Sequence, residues 1–237
     1  MKCSAERLIE ALIAVDLARE RKAAEQRARE TRQASYVVTV SRGYGSRGKH
    51  VARVLAERLG VRACDRDILE EVAMRANVDT ALVERLDETI RHAGIEPWKA
   101  FFQGKSFSEE RYLHHLVKVV MNISKKGGVI IGRGAHLILG PAHAFRVRIV
   151  GSLDVCAARI ADREQLDTDA ARRRVETVDR QRADYLRKLY GVDIADCSVH
   201  DLIINSDRFD IGQMVDLILR GMQHAGYDIG EEMLATD

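Results

Sequence analysis

Apolar positions along this chain change period several times. Tyr36-Val37-Val38-Thr39-Val40 is a continuous, largely β-branched run, which suits a buried strand. Val51, Ala52, Val54, Leu55 and Leu59 follow at helical spacing, and Gly60 supplies a stop. Val61 to Cys64 predicts a second short strand, ending at Asp65. Residues 66–126 read as helix-rich, with stripes at Ile68, Leu69, Val72 and Met74, at Leu82, Val83 and Leu86, and at Leu113, Leu116, Val117, Val120 and Met121. A loop around Pro97, Trp98 and Gly104 divides them. Val129-Ile130-Ile131 predicts a third strand, stopping at Gly132-Arg133-Gly134. A fourth is predicted over 145–150, where Val147 and Ile149 alternate with Arg146 and Arg148. Two helices rich in Arg and Asp are predicted over 153–165 and 167–189. Leu202-Ile203-Ile204 gives a fifth strand, ending at Asn205-Ser206, and Met214, Leu217, Ile218 and Met222 stripe a last helix closed by Gly226. Strands alternating with helices predict an α/β fold with a parallel sheet covered on both faces.

The two ends read differently. Residues 1–34 predict a helical arm: Leu8, Leu12 and Val15 make a short apolar stripe, and 19–33 are almost all Arg, Glu, Lys, Gln and Ala. Such an arm is either a solvated extension or a contact between copies of the chain, so a homo-oligomer is one expected state. The main domain is placed at 35–226, with 66–126 and 160–195 as special regions within it and 227–237 as a tail. The chain has 237 residues, 38 basic and 36 acidic, for a formal charge of +2. That balance gives no general attraction to nucleic acid or membrane, so any anion site depends on local placement of Arg and Lys. No apolar run is long enough for a bilayer, and Glu6 and Glu10 break the apolar start that a secretory signal needs. Cysteines at 3, 64, 156 and 197 have no C-x-x-C spacing. They read as free thiols in a reducing compartment, so a cytoplasmic location is expected.

The strongest chemical signal is Gly43-Tyr44-Gly45-Ser46-Arg47-Gly48-Lys49, which fits G-x-x-x-x-G-K between a buried strand and a helix. Glycines let the backbone curl so that successive N–H groups face a phosphate chain. The helix that follows presents its positive end to the same anion. Lys49 is placed to reach the β- and γ-phosphates. His50 stands where the motif wants a Ser or Thr ligand for Mg²⁺, and imidazole is a poor ligand for that hard ion. The metal is then left to water, to Ser46 or to an acidic residue elsewhere; no dedicated set of metal-binding side chains is predicted.

Ligands of open parallel sheets bind beyond the carboxyl ends of the strands. Those ends carry Asp65-Arg66-Asp67, Gly132-Arg133-Gly134, Gly151-Ser152 and Asn205-Ser206. Asp65 reads either as a helix cap or as a group that orients an acceptor or binds Mg²⁺ through water. Arg133, between glycines, is suited to grip a phosphate through both arms of its guanidinium. Arg172-Arg173-Arg174 and Asp179-Arg180-Gln181-Arg182 form a guanidinium-rich stretch, either a solvated helix face or a mobile lid over a transferring phosphoryl group.

Taken in order, these stretches resemble the cytidylate kinase-like family of P-loop kinases, within the wider nucleoside monophosphate kinase group. The resemblance runs from about Val37 to about Met222 and rests on 39–49, 64–69, 129–135, 146–152, 178–182 with Tyr185, and 200–206. It implies the P-loop kinase fold, with a five-stranded parallel sheet, an acceptor-binding helical region at 66–126 and a lid at 160–195. It implies ATP or GTP as donor, Mg²⁺ as cofactor and a nucleoside monophosphate, most naturally CMP or dCMP, as acceptor. By position Lys49 matches the loop cation and Arg133 the acceptor-phosphate arginine. Asp179, Arg180 and Arg182 match the lid motif, and Asn205 and Ser206 the turn beside the donor base. The chain departs from the family at Arg47, where relatives usually have Gly, and at His50-Val51, where typical cytidylate kinases have Gly-Thr. No cytosine-reading motif is found in 66–126. Two other readings stay open: a small-metabolite kinase, for which Asp65 and Asp67 would be the acidic pair, and a nucleotide-binding sensor with little turnover.

Overall fold

The structure, a computed structural model, describes residues 36–65 and 109–234. The expectations for the arm, for 66–108 (Asp67 among them) and for the last three residues lie outside the described residues.

Five strands form one sheet in the order β2-β3-β1-β4-β5: β1 (Val37–Arg42), β2 (Ala63–Cys64), β3 (Gly128–Ile131), β4 (Phe145–Val150) and β5 (Leu202–Asn205). Every pairing is parallel, with Val38 opposite Val129 on one side and opposite Phe145 on the other. Parallel strands need crossovers, and these carry α1 (Gly48–Arg58), α2 (Glu109–Lys126), α3 (Ala135–His143), α4 (Leu153–Glu164) and α5 (Thr168–Tyr190); α6 (Ile211–His224) and the short α7 (Glu231–Leu234) follow β5. The strand reading from the sequence is matched closely, because each strand is a short apolar run stopped by glycine or a polar turn.

Side chains sort by strand alternation. Val38, Val40, Val147, Ile149 and Ile131 pack with Leu55 of α1 and with Met214, Ile218 and Met222 of α6. Each fully buried side chain of this size contributes about 1.5–3 kcal/mol. Val37 and Ile130 meet Leu116 and Val120 of α2, Leu139 of α3, and Tyr185 and Leu186 of α5. A third, smaller cluster joins Cys156 and Ile160 of α4 to Ala171 and Val175 of α5. Residues 227–234, set apart as a tail in the sequence, pack back on the sheet through buried Ile229, and Tyr36 donates to the Asp228 carbonyl at 2.5 Å.

The sequence reading assigned nothing between Gly134 and Phe145, where the structure has α3. Gly140, at φ 60°, kinks this helix just before Pro141, and that pair masks its period.

Next to the second cluster, the β4 part of the same sheet face is polar. Arg146 and Arg148 alternate away from the apolar face of β4, and Arg148 donates to the Ser41 hydroxyl at 3.1 Å. His136 is 3% exposed and stacks on His200, with ring centroids 4.7 Å apart. Burial first, then the charges of His200, Arg148 and Arg146, push the His136 pKa down to about 3. Burial, followed by Arg148, pushes His200 down to about 4. The unfolded chain takes up these protons near 6.5, well before the native state does. Their contribution to stability is therefore complete above that pH and is lost as pH falls through the window. Urea midpoints measured at about pH 7.5 and about pH 5 should differ clearly in the wild type and less in His136→Phe. Coincident wild-type midpoints would show that the histidines are not held neutral.

Candidate active site

The glycine loop links β1 to α1 and packs with almost no room to spare. Gly43 N–H donates to the Ile149 carbonyl at 2.9 Å, which pins the loop to β4. Gly45 has φ 82°, and a Cβ there would lie 2.6 Å from the Cys156 carbonyl oxygen. A Cβ on Gly48 would lie 2.5 Å from Arg42 Cβ. Buried Ser46 donates its hydroxyl to the Gly43 carbonyl at 2.9 Å. No acceptor among the described residues meets the N–H groups of Gly45, Arg47, Gly48 and Lys49. A turn followed by a helix start that leaves several N–H groups unmet is an anion cradle. Arg47 caps α1 at φ 62°, a conformation that glycine adopts without strain and arginine does not.

Lys49 Nζ lies 2.5 Å from Asp65 Oδ2, just past β2. Burial pushes the Asp65 pKa up, but the Lys49 hydrogen bond and the charges of Arg42, Lys49 and Arg133 outweigh it and hold the carboxyl below its ordinary range. Asp65 therefore stands ionised between the loop lysine and two further cations. Across the end of β3, Gly132, Arg133 and Gly134 have φ of 74°, 58° and 68° in succession. The two glycines allow close approach: Cβ atoms there would lie 2.1 Å from Arg42 Nη1 and 2.4 Å from the Tyr190 ring. Arg133 is held in the same backbone region, and its carbonyl accepts from the Tyr190 hydroxyl at 2.8 Å. A non-glycine residue kept there costs of order 1–3 kcal/mol and persists only where its surroundings fix it.

A cavity of about 220 Å³ opens beside this turn, lined by Ser41, Arg42, Arg133, His136, Arg182 and Tyr185 among others. Arg182 reaches it from α5 and is tied to the loop, donating to the Arg42 carbonyl at 3.0 Å and to Asp179 at 3.1 Å. Asp179 also accepts from the Tyr44 N–H at 2.8 Å. Its burial outweighs these partners, so its pKa is raised. Arg180 is exposed and does not line the cavity. Asn205 and Ser206 follow β5. Asn205 accepts from the Asp207 N–H at 2.9 Å, and Ser206 N–H donates to the Val150 carbonyl at 2.8 Å.

Sequence reasoning singled out Lys49, Asp65, Arg133 and Arg182, and the structure gathers them around the loop and the cavity. It passed over Arg42 and Arg159. Arg159, on α4, donates to the Gly45 carbonyl at 3.3 Å, to Ser206 Oγ at 3.0 Å and to the Ser206 carbonyl at 2.7 Å, clamping the loop to the turn after β5. Nothing local distinguishes Arg159 from its neighbours on a charged helix. Arg42 lies between the predicted strand and the first glycine of the loop, and the sequence reading gave it no role. In the Arg172–Arg174 run, Arg172 pairs with Asp154 and Arg174 lies 3.7 Å from Glu164, so both link α5 to α4.

The sequence model of the cytidylate kinase-like family matches residues 37–208, which contain the loop, Asp65, the Gly132–Gly134 turn, Arg182 and Ser206. The chain belongs to the cytidylate kinase-like family. Relatives include a cytidylate kinase of Methanothermobacter thermautotrophicus, 26% identical over 176 residues that cover 73% of this chain and 97% of the relative. Another, from Methanocaldococcus jannaschii, is 24% identical over 187 residues, covering 77% of this chain and 94% of the relative. A crystal structure of an uncharacterized protein from Eubacterium ventriosum has the same fold, with a TM-score of 0.57 and 21% identity over 79% of this chain and 98% of that one.

Among the described residues, no group of three or more His, Cys, Asp or Glu side chains is arranged to hold a metal ion. Oxygen donors at the loop are Ser46 Oγ and the Asp65 carboxylate, whereas His50 is exposed and offers only nitrogen. This set fits a Mg²⁺ that keeps water and phosphate oxygens as most of its ligands. No helix among the described residues is long and apolar enough to cross a membrane.

The tight packing of the loop has a direct test. Gly45→Ala must push the Cys156 backbone away, whereas Gly60→Ala, at φ 64° with nothing within 4 Å, adds only backbone strain. Thermal melting should show a loss of about 1 kcal/mol for Gly60→Ala and a several-fold larger one for Gly45→Ala. Equal losses would mean that the loop gives way easily.

Proposed function

We propose that this protein transfers the γ-phosphoryl group of ATP to a nucleoside monophosphate, with CMP and dCMP as preferred acceptors. The observation that carries this reading is the position of Asp65, paired with the loop lysine and held ionised by Arg42 and Arg133 of the neighbouring cavity. One carboxylate thus adjoins a cradle for a triphosphate and a cavity for a second phosphate. Membership of the family, and relatives that are cytidylate kinases, support the acceptor class.

In this reading the loop N–H groups and Lys49 hold the donor's β- and γ-phosphates. Arg133 and Arg42 hold the acceptor phosphate. An oxygen of that phosphate attacks the γ-phosphorus; the bond from the γ-phosphorus to the bridging oxygen breaks, and ADP leaves with the electron pair. At neutral pH the attacking oxygen carries no proton, so no general base is needed. The protein's contribution is in-line placement and charge neutralisation. Asp65 keeps Lys49 extended toward the phosphates and would hold the metal through its water. Mg²⁺, when bound, neutralises charge on the β- and γ-oxygens. Arg182 closes the site from the α5 side and helps to exclude water. The turn at Asn205-Ser206, fixed by Arg159, borders the donor base.

Coupled ADP release should be measured with ATP and Mg²⁺ across CMP, dCMP, UMP, AMP, GMP and small polyols. We expect release that depends on CMP or dCMP, stops with EDTA, and falls by about 10²–10³-fold or more in Lys49→Ala with its fold intact. Release only with polyols would replace this reading by a metabolite kinase. Full activity in Lys49→Ala would remove the loop from the mechanism. ATP binding with no release under any acceptor would leave a nucleotide sensor.

A further inference from the structure

Phosphate binding by a glycine loop uses backbone N–H groups, so the side chain of its second residue has no duty to the ligand. In this chain that side chain is Tyr44, and it is the most heavily engaged in the loop. Its hydroxyl donates to Glu164 Oε1 at 2.5 Å and accepts from Arg163 Nη2 at 2.9 Å. The Arg163 guanidinium carbon lies 5.2 Å from the ring centroid, and that of Arg182 lies 5.5 Å from it. Glu164 in turn takes Arg163 and approaches Arg174. The Tyr44 N–H donates to Asp179, which also takes Arg182. The ring packs against the apolar cluster that joins α4 to α5. One loop residue therefore holds the end of α4 through Arg163 and Glu164, and the middle of α5 through Asp179 and Arg182.

We infer that Tyr44 is a positioning residue that couples the phosphate loop to the α4–α5 lid and sets Arg182 over the site. The inference rests on the phosphoryl-transfer reading for its kinetic consequences, though not for the coupling itself. The aromatic face attracts guanidinium by its quadrupole, and the contact is strongest where water is excluded. A leucine at this position keeps the bulk and loses the attraction. A phenylalanine keeps the face and loses only the hydroxyl link to Glu164 and Arg163. Arg182 has two other holds on the site, the Arg42 carbonyl and Asp179. The loss of Tyr44 therefore leaves Arg182 present but poorly aimed, which acts on the transfer step more than on donor binding.

The test is a double-mutant cycle of Tyr44→Leu with Arg182→Lys, read as kcat and donor KM separately. Tyr44→Leu should lower kcat by about 10–100-fold with donor KM within about threefold of wild type, and Tyr44→Phe should restore most of kcat. In the Arg182→Lys background, Tyr44→Leu should cost no more than about threefold, because both act through the same guanidinium. Additive losses, or a donor KM that rises as much as kcat falls, would overturn the inference and leave Tyr44 as loop packing. A second measurement needs no acceptor. Amide hydrogen exchange over 163–182 should slow when ATP and Mg²⁺ are added to the wild type, and slow much less in Tyr44→Leu that still binds ATP. Equal slowing in both, or none in the wild type, overturns the coupling. Inactivity of the wild type toward every acceptor, with this exchange difference intact, would instead fault the kinase reading alone. Should Tyr44→Leu fail to fold, Arg163→Met removes one of the two guanidiniums from the same ring and is read the same way.

Discussion

Between Arg42 and Lys49 the backbone turns through a space with no room for Cβ atoms at two of its glycines. The Cys156 carbonyl of α4 presses on Gly45, and the side chain of Arg42 presses on Gly48. Everything else at the site is registered to that turn. The Gly43 N–H on Ile149 fixes it to β4, Arg159 fixes it to the turn after β5, and Lys49 projects from it to Asp65 after β2. A cradle of backbone N–H groups attracts an anion only if the groups stay convergent when it is empty. Packing of backbone against backbone provides that rigidity at little conformational cost, because glycine reaches φ 82° without strain.

Positive charge gathers at the site. Lys49 pairs with Asp65 and Arg182 with Asp179, and the charges of Arg42 and Arg133 also act on Asp65. The two carboxylates respond in opposite directions, which maps the field: Asp65 is lowered because its cations outweigh burial, and Asp179 is raised because burial outweighs its own. Asp65 therefore stays ionised where the loop lysine and the β3 turn meet. Behind this layer His136 and His200 are held neutral beside Arg146 and Arg148, so the two stacked rings add no charge of their own.

The helical hairpin of α4 and α5 is held in a different manner. Its apolar seam is small, and much of its order comes from ion pairs such as Arg172–Asp154 and Arg174–Glu164 and from the Asp167 cap on α5. Exposed pairs of this kind are worth little individually. An element stitched by weak polar contacts can shift on its base while the sheet stays fixed. Tyr44 and Arg182 are where that element meets the loop.

The sequence by itself determined the parallel α/β sheet and its five strands, because short β-branched runs stopped by glycine have few other uses. It determined the phosphate loop, whose glycines and lysine are contiguous, and it marked Arg133 through its flanking glycines. It did not reveal α3, whose period is broken by Gly140 and Pro141. It placed Asp65 at a strand end and offered both a helix cap and a site role for it; the folded chain adds an ion pair with Lys49, 16 residues away on another element. Arg42, Arg159 and the duties of Tyr44 were decided only by tertiary structure. Arginines on charged helices look alike in sequence, and what separates a clamp such as Arg159 from an exposed neighbour such as Arg180 is which carbonyls and rings the folded chain brings within reach. Local pattern records the backbone's own requirements, whereas the partner of a long side chain is set by the packing of elements distant in the chain.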